Sequence, residues 1–367
     1  MTENNNKIYY DLQFHLDKMP IGFPKADSGV EIRVLKDFFT PEEAYIATKL
    51  DFLPQKIKRI HHKMKNRDIS LQYVENKLLQ MYRKGTINMG EENGEKTYAN
   101  APIVVGMYEY QLGRLTPDFV KNAFQYFDEA FFEKEYNKTG IPQLRTIPIE
   151  KAITNDLAAA TYDQIRNFID KSNTIGIMDC ICRKAHDLLG NPCKKTTLRE
   201  TCMVFGSAAR RFNEMGEARF ISREEAISLI EKFETIGLVP SPSNSQKPFV
   251  ICNCCGCCCE VIGNQKKFDN PAQYFASNFY AKINLDDCIG CGVCEERCQM
   301  NAISLVDEKS NIDLGKCIGC GVCVPTCPEN AIELKKKEQE IIPPIDTRAT
   351  YVKIMNEKAK LAQTKKN

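Results

Sequence analysis

The chain has 367 residues, 27% of them charged and 43% hydrophobic, with 50 basic against 48 acidic side chains. That length and balance suit two or three domains with buried cores, and they exclude disorder, collagen and a polyanionic partner recruited by net charge alone. All 18 cysteines lie beyond residue 179, a bias that confines any metal or disulfide chemistry to one half of the chain.

The first residues, Met1 to Asp11, are polar and Asn-rich, with no apolar core of signal-peptide length. The most apolar stretches, such as Ala101–Met107 and Ile175–Met178, are too short for a membrane span. This reads as a soluble cytoplasmic protein whose thiols stay reduced and free to ligate metal.

In residues 30–115, Thr40-Pro41-Glu42-Glu43 is a helix start, with proline at the first helical position and acids in the first turn. A second helix is expected from about Gln55 to Lys65. A third begins at Ser70, with Val74, Leu78 and Met81 on one stripe. Thr86–Met89 and Lys96–Ala99 read as short strands joined across Glu91–Gly94. Three helices and a two-strand wing predict a winged-helix-like domain. Gln55–Lys84 holds nine Lys or Arg against two acids, with His61 and His62 besides. Such a face suits DNA, with the third helix in the major groove, or a solvated surface used for packing or docking. No arginine pattern on the third helix marks base readout, so DNA is the lesser alternative. The adjacent His61 and His62 point in different directions on a helix and do not make a shared metal site.

Within 116–144, Asp118–Tyr136 is an amphipathic helix whose Val120, Phe124, Phe127 and Phe131 form a core or subunit-contact stripe, followed by linker. Leu144–Ile149 also reads as Pro-punctuated linker. Thr161–Lys171 follows as a helix with Ile165, Phe168 and Ile169 inward.

Residues 145–270 form a small α/β Cys-rich domain. Thr174–Met178 is β-like and ends at Asp179-Cys180; Phe249–Ile251 is β-like and ends at Cys252. Between them Leu198–Asn213 and Arg223–Thr235 read as helices, the second opened by Ser222 and Glu225 and closed by Gly237. A strand-helix-helix-strand order can bring both strand ends to one sheet edge. Cys180, Cys182, Cys193 and Cys202 could then face the same site as Cys252, Cys254, Cys255, Cys257, Cys258 and Cys259. Burial as apolar cysteine would fit Cys202 on a helix face, but not six cysteines in eight residues. Ten thiols suffice for two more cubanes with two left over, for one cluster plus a zinc, or for a larger cluster with unusual ligation. The sequence leaves these three open.

Next comes an internal repeat. Cys288-Ile-Gly-Cys291-Gly-Val-Cys294-x-x-x-Cys298 recurs as Cys317-Ile-Gly-Cys320-Gly-Val-Cys323-x-x-x-Cys327, and 12 of 18 positions are identical between Cys288–Leu305 and Cys317–Leu334. This spacing wraps three thiolates around one cubane and points the fourth at the other. Cys288, Cys291, Cys294 and Cys327 would share one [4Fe-4S] cluster, and Cys317, Cys320, Cys323 and Cys298 the second. Two zinc knuckles are the weaker reading, because zinc usually takes well-separated pairs rather than three cysteines in seven residues.

Residues 283–334 resemble a bacterial-type two-[4Fe-4S] ferredoxin domain, which sets its bounds at about 282–334. Ile283-Asn-Leu, Ala302-Ile-Ser-Leu, Ile312-Asp-Leu and Ala331-Ile-Glu-Leu suit the small hairpins that cap such clusters. Gln299 departs from the family, which has proline there, as Pro328 does in the second repeat. More broadly, with Cys180-Ile-Cys182-Arg183, the Ser222-Arg-Glu-Glu-Ala226 helix and the Ile251-Cys-Asn-Cys-Cys255 run ahead of the dicluster domain, residues 145–335 resemble a group of multi-cluster iron-sulfur proteins of anaerobes, known mainly by this architecture. The tail, 335–367, is Lys-rich and expected to be helical or disordered.

The whole reads as an α+β multidomain chain: a winged-helix-like domain, the Cys-rich domain and a ferredoxin-like dicluster domain. There is no Walker loop, Rossmann glycine fingerprint or zinc-hydrolase motif, and flavin binding is left open. The expected function is an electron-transfer protein, a wiring subunit or electron donor for an anaerobic oxidoreductase, with two ferredoxin clusters and at least one more. The implied partner is a redox protein, in an oxidoreductase complex or a homo-oligomer. The alternative is a redox-responsive winged-helix transcription regulator.

Overall fold

The computed structural model describes residues 2–64 and 69–364. The chain divides into two units, residues 1–139 with 354–367, and residues 140–353.

In the first unit, α1 (Thr2–Asp17), α2 (Val30–Phe38) and α3 (Pro41–Ala47) precede β1 (Gln55–Lys56) and α4 (Ile57–His62). Thr40 and Glu43 close the capping box expected at α3, each side chain meeting the other's backbone amide. The helix expected over 55–65 is corrected at its start. Gln55 and Lys56 pair with Tyr98 and Thr97 as a third strand before the chain turns helical. Lys65 and Arg67 of the basic stretch lie outside the described residues.

Helix α5 (Leu71–Lys84) is capped by Ser70 and ended by Gly85 at φ 77°, and its Val74, Leu78 and Met81 are fully buried. Strands β2 (Ile87–Glu92) and β3 (Glu95–Asn100) join through Asn93-Gly94, both at positive φ, the backbone a two-residue hairpin turn demands. Helix α6 (Pro117–Tyr126) continues in π register through Phe127–Tyr136. Val120, Phe127 and Phe131 are buried as the stripe predicts, and the register change adds Phe132 and Tyr136 to one aromatic cluster. Lys56, Arg59, Lys63, Lys77 and Lys84 of the basic stretch each pair with an acid of this unit.

The second unit contains a five-stranded sheet in the order β6-β4-β5-β8-β7, antiparallel throughout. In chain order it is built from α7 (Ile165–Asp170), β4 (Ile175–Asp179), α8 (Ile181–Leu188), β5 (Glu200–Phe205), α9 (Gly206–Glu214), β6 (Ala218–Ile221), α10 (Arg223–Ile236), β7 (Val239–Pro242), β8 (Val250–Cys254) and α11 (Glu260–Gln265). One expectation is corrected: the helix expected over 198–213 is half strand. Thr201-Cys-Met-Val-Phe205 is a short apolar run bounded by a turn, which a buried central strand satisfies as well as a helix does. Cys202 therefore sits on β5, opposite Cys252 of β8, and not on a helix face.

Leu144–Ile149 is likewise no exposed linker. It runs buried beside β7, with Arg145 N–H donating to Pro242 O and Ile147 N–H to Pro240 O. The Arg145 side chain, itself buried, pairs with buried Asp163 at 2.5 Å, and Asn278 donates to the other Asp163 oxygen at 3.0 Å.

After the sheet come β9 (Phe279–Ile283), α12 (Val293–Arg297), the hairpin β10 (Ile303–Val306) with β11 (Lys309–Ile312), and β12 (Ile332–Lys336), which pairs back onto β9. The tail is ordered through α13 (Thr347–Thr364), and residues 365–367 lie outside the description. No described helix is long and apolar enough to cross a membrane.

Candidate metal centres

In the repeat, each cysteine loop carries a glycine that no other residue can replace. Gly290 and Gly319 sit at φ 68° and 65°, and a Cβ there would lie about 2 Å from the carbonyls of Glu308 and Phe279. The second loop turns its thiols inward. Cys298, Cys317, Cys320 and Cys323, with Met300 and Ile318, line one cavity. Burial drives the Cys320 thiol up to about 12, and neighbouring Cys298 and Cys317 add to it. Such thiols ionise only when a cation takes up their charge.

Backbone amides serve both halves of the repeat symmetrically: Ala302 N–H donates to Cys298 Sγ at 3.2 Å and Ala331 N–H to Cys327 Sγ at 3.3 Å. Ala281 N–H reaches Cys317 Sγ at 3.4 Å, and Ser310 N–H reaches Cys288 Sγ at 3.4 Å. Donors aimed at sulfur are what thiolate ligands of a cluster require. The residues fit two [4Fe-4S] clusters.

The ten upstream cysteines gather at one end of the sheet, as the two strand ends predict, but in two groups. Cys193, from the loop after α8, meets Cys255 and Cys257 at 3.7 Å each. Cys257 lies 3.6 Å from Cys255 and 3.7 Å from Cys258, and all four sulfurs fall within 4.8 Å of one another.

The other six form one connected group. Cys254 and Cys259 are 3.3 Å apart. Cys182, in the first turn of α8, neighbours Cys259 and Cys180. Cys252 neighbours Cys254 and Cys202, and Cys180 faces both Cys252 and Cys254. Contact with an adjacent thiol, then burial, pushes Cys180, Cys252 and Cys254 well above the ordinary thiol range. The register that sets Cys202 across from Cys252 joins it to this group.

Arg183 lies between the groups, almost completely buried, with Cys180, Cys193 and Cys255 as neighbours. It donates to Thr201 Oγ1 and, at 3.0 Å, to Asn253 O. The sequence marks it as the arginine of the Cys180-Ile-Cys182-Arg183 element, without assigning it a role.

Gln299 links the two modules. Its Oε1 accepts from Gly256 N–H at 2.8 Å, inside the dense cysteine run, and its Nε2 donates to Gly237 O at 3.0 Å, at the end of α10. Arg297 adds hydrogen bonds to the carbonyls of Glu234 and Thr235. Cys254 and Cys259 pack in the same core as Cys294, Cys323 and the apolar residues of the repeat.

Residues 280–328 and 316–358 match two family models, each described as a 4Fe-4S dicluster domain. A search of curated proteins finds no match. The C-terminal part of the second unit is a ferredoxin-type dicluster domain, and the chain is an iron-sulfur protein of the electron-transfer kind. It carries two [4Fe-4S] clusters.

Proposed function

We propose that the protein is a wiring subunit or electron donor for an anaerobic oxidoreductase, with a further iron-sulfur cluster on the Cys-rich module feeding the ferredoxin pair. The observation that carries this reading is the shared core, which holds Cys252, Cys254 and Cys259 together with the cavity residues Cys298, Cys317, Cys320 and Cys323. A cluster bound by thiolates accepts and releases one electron at a time. Cys317, Cys320, Cys323 and Cys298 would hold one ferredoxin cluster, and Cys288, Cys291, Cys294 and Cys327 the other. The amides of Ala281, Ala302, Ser310 and Ala331 donate to Cys317, Cys298, Cys288 and Cys327 and would draw charge from those four thiolates. Exposed Cys291, beside Ile289 at 63% exposure, offers the edge where a redox partner can approach.

The alternative, a redox-responsive winged-helix regulator, draws less support because Lys56, Arg59, Lys63, Lys77 and Lys84 already face acids. Iron and acid-labile sulfide measured on anaerobically purified protein test the proposal. About twelve irons per chain are expected, since each cubane contributes about four. A value fixed at about eight after reconstitution would reject the further cluster.

A further inference from the structure

The spacing of sulfurs differs between the parts of this chain that carry cysteine. Around the ferredoxin sites the thiols hydrogen-bond to backbone amides and to Ser310, and among the described residues none of those eight hydrogen-bonds another thiol. That is the spacing a cubane needs, because each ligand caps its own iron and the cluster body fills the space between them. In the group of Cys193, Cys255, Cys257 and Cys258, four sulfur pairs stand at 3.6 to 3.7 Å. A tetrahedron with metal-sulfur bonds of about 2.3 Å has edges of about 3.8 Å. Among the described residues these four sulfurs close into a quartet within 4.8 Å of one another, the enclosure a single ion needs, and the six other upstream thiols do not, although Cys254 and Cys259 stand 3.3 Å apart.

Two further features match a single ion. Residues 191–199 have neither helix nor strand, and Asn191, Pro192, Lys194, Lys195 and Thr197 are exposed. Cys193 is the point where this loop meets the turn after β8. The loop's far end is held by Arg199 on Asp187 at 2.5 and 2.8 Å. Four thiolates around a divalent ion leave two net negative charges, and buried Arg183 beside Cys193 and Cys255, with Lys266 beside Cys255 and Cys257, stands where those charges would fall.

We propose that Cys193, Cys255, Cys257 and Cys258 hold one zinc ion in a closed tetrahedral site that staples the 191–199 loop to the sheet, leaving Cys180, Cys182, Cys202, Cys252, Cys254 and Cys259 for the further cluster. A closed all-thiolate site that fastens an irregular loop is zinc's usual structural role. This site does not depend on the electron-transfer reading, since zinc carries no electrons.

The test uses the full chain, purified anaerobically from zinc- and iron-replete cells, with both metals quantified and the reduced ferredoxin clusters followed by electron paramagnetic resonance. The wild type should hold about one zinc per chain. Cys193→Ser should lose at least about nine-tenths of that zinc while the ferredoxin signal persists, whereas Cys193→His, which restores a ligand, should keep it. Cys202→Ser should lose iron and retain zinc. If Cys193→Ser fails to fold, the contrast between Cys193→His and Cys202→Ser decides. Wild-type protein without zinc, a single-iron thiolate signal, loss of iron in place of zinc in the Cys193 variants, or loss of zinc with Cys202→Ser would each overturn the assignment.

Discussion

Gln299 accepts the Gly256 amide at 2.8 Å, and in doing so fastens the first ferredoxin motif to the densest run of cysteines in the chain. The backbone there is equally close: a Cβ on Gly256 would lie 2.2 Å from the Gln299 carbonyl. Proline at 299, as at Pro328 of the other repeat, could make neither side-chain hydrogen bond. The family's proline gives way to a residue that joins two modules.

This joint predicts a selective loss. Gln299→Ala should leave the half-buried Gly256 amide and the buried Gly237 carbonyl without these partners and cost about 1–3 kcal/mol. Anaerobic thermal unfolding should show a lower midpoint while the ferredoxin spectrum is retained. An unchanged midpoint would remove the joint from the account.

Crossed ligation predicts which cluster each fourth cysteine serves. Cys298→Ser should leave the spectrum that Cys320→Ser leaves, because both line the same cavity. A Cys298→Ser spectrum that coincides with that of Cys291→Ser would reject the crossing.

Arg183 should matter to the Cys-rich module alone. Arg183→Met removes the cation between two thiol groups and takes away the side-chain donor of the Asn253 carbonyl in the interior. Metal content at the ten upstream cysteines should fall severalfold with the ferredoxin signal intact. Arg183→Lys, which keeps charge but loses the two-pronged geometry, should fall between Met and wild type. Equal metal content in all three would show that Arg183 plays no part in holding metal.

The first unit should fold without iron, since it has no cysteine and its aromatic cluster is complete within residues 1–139. A fragment of residues 30–115 omits α1 and α6, which supply buried Leu12, Leu16, Val120 and Tyr126. Residues 1–139 should therefore unfold cooperatively and at higher temperature than 30–115. The reverse order would mean that these helices add no stability.

The ferredoxin part was legible because its ligands are local: four cysteines within eleven residues declare their geometry through spacing alone, twice. The stripes of α5 and α7 were legible for a similar reason, their periodicity matching the faces they bury. The partition of the ten upstream cysteines was not. It depends on the register that sets Cys202 of β5 against Cys252 of β8, and Thr201–Phe205 is a short apolar run that helix and strand explain equally well. Cys193 gave no local sign of its partners either, since they lie more than sixty residues away on the far side of α10. Gln299 stood out as a departure from a pattern, but its purpose became visible only when Gly256 was placed next to it.

The most direct measure of the central claim is the number of electrons the intact chain takes up reversibly. Anaerobic coulometric titration of the 367-residue chain should record about three electrons per chain, one for each ferredoxin cluster and one for the further cluster proposed on the six other upstream thiols, with the same count on reoxidation. A reversible count of about two would confine electron transfer to the ferredoxin domain, and a count near zero would contradict the account of this protein as an electron carrier.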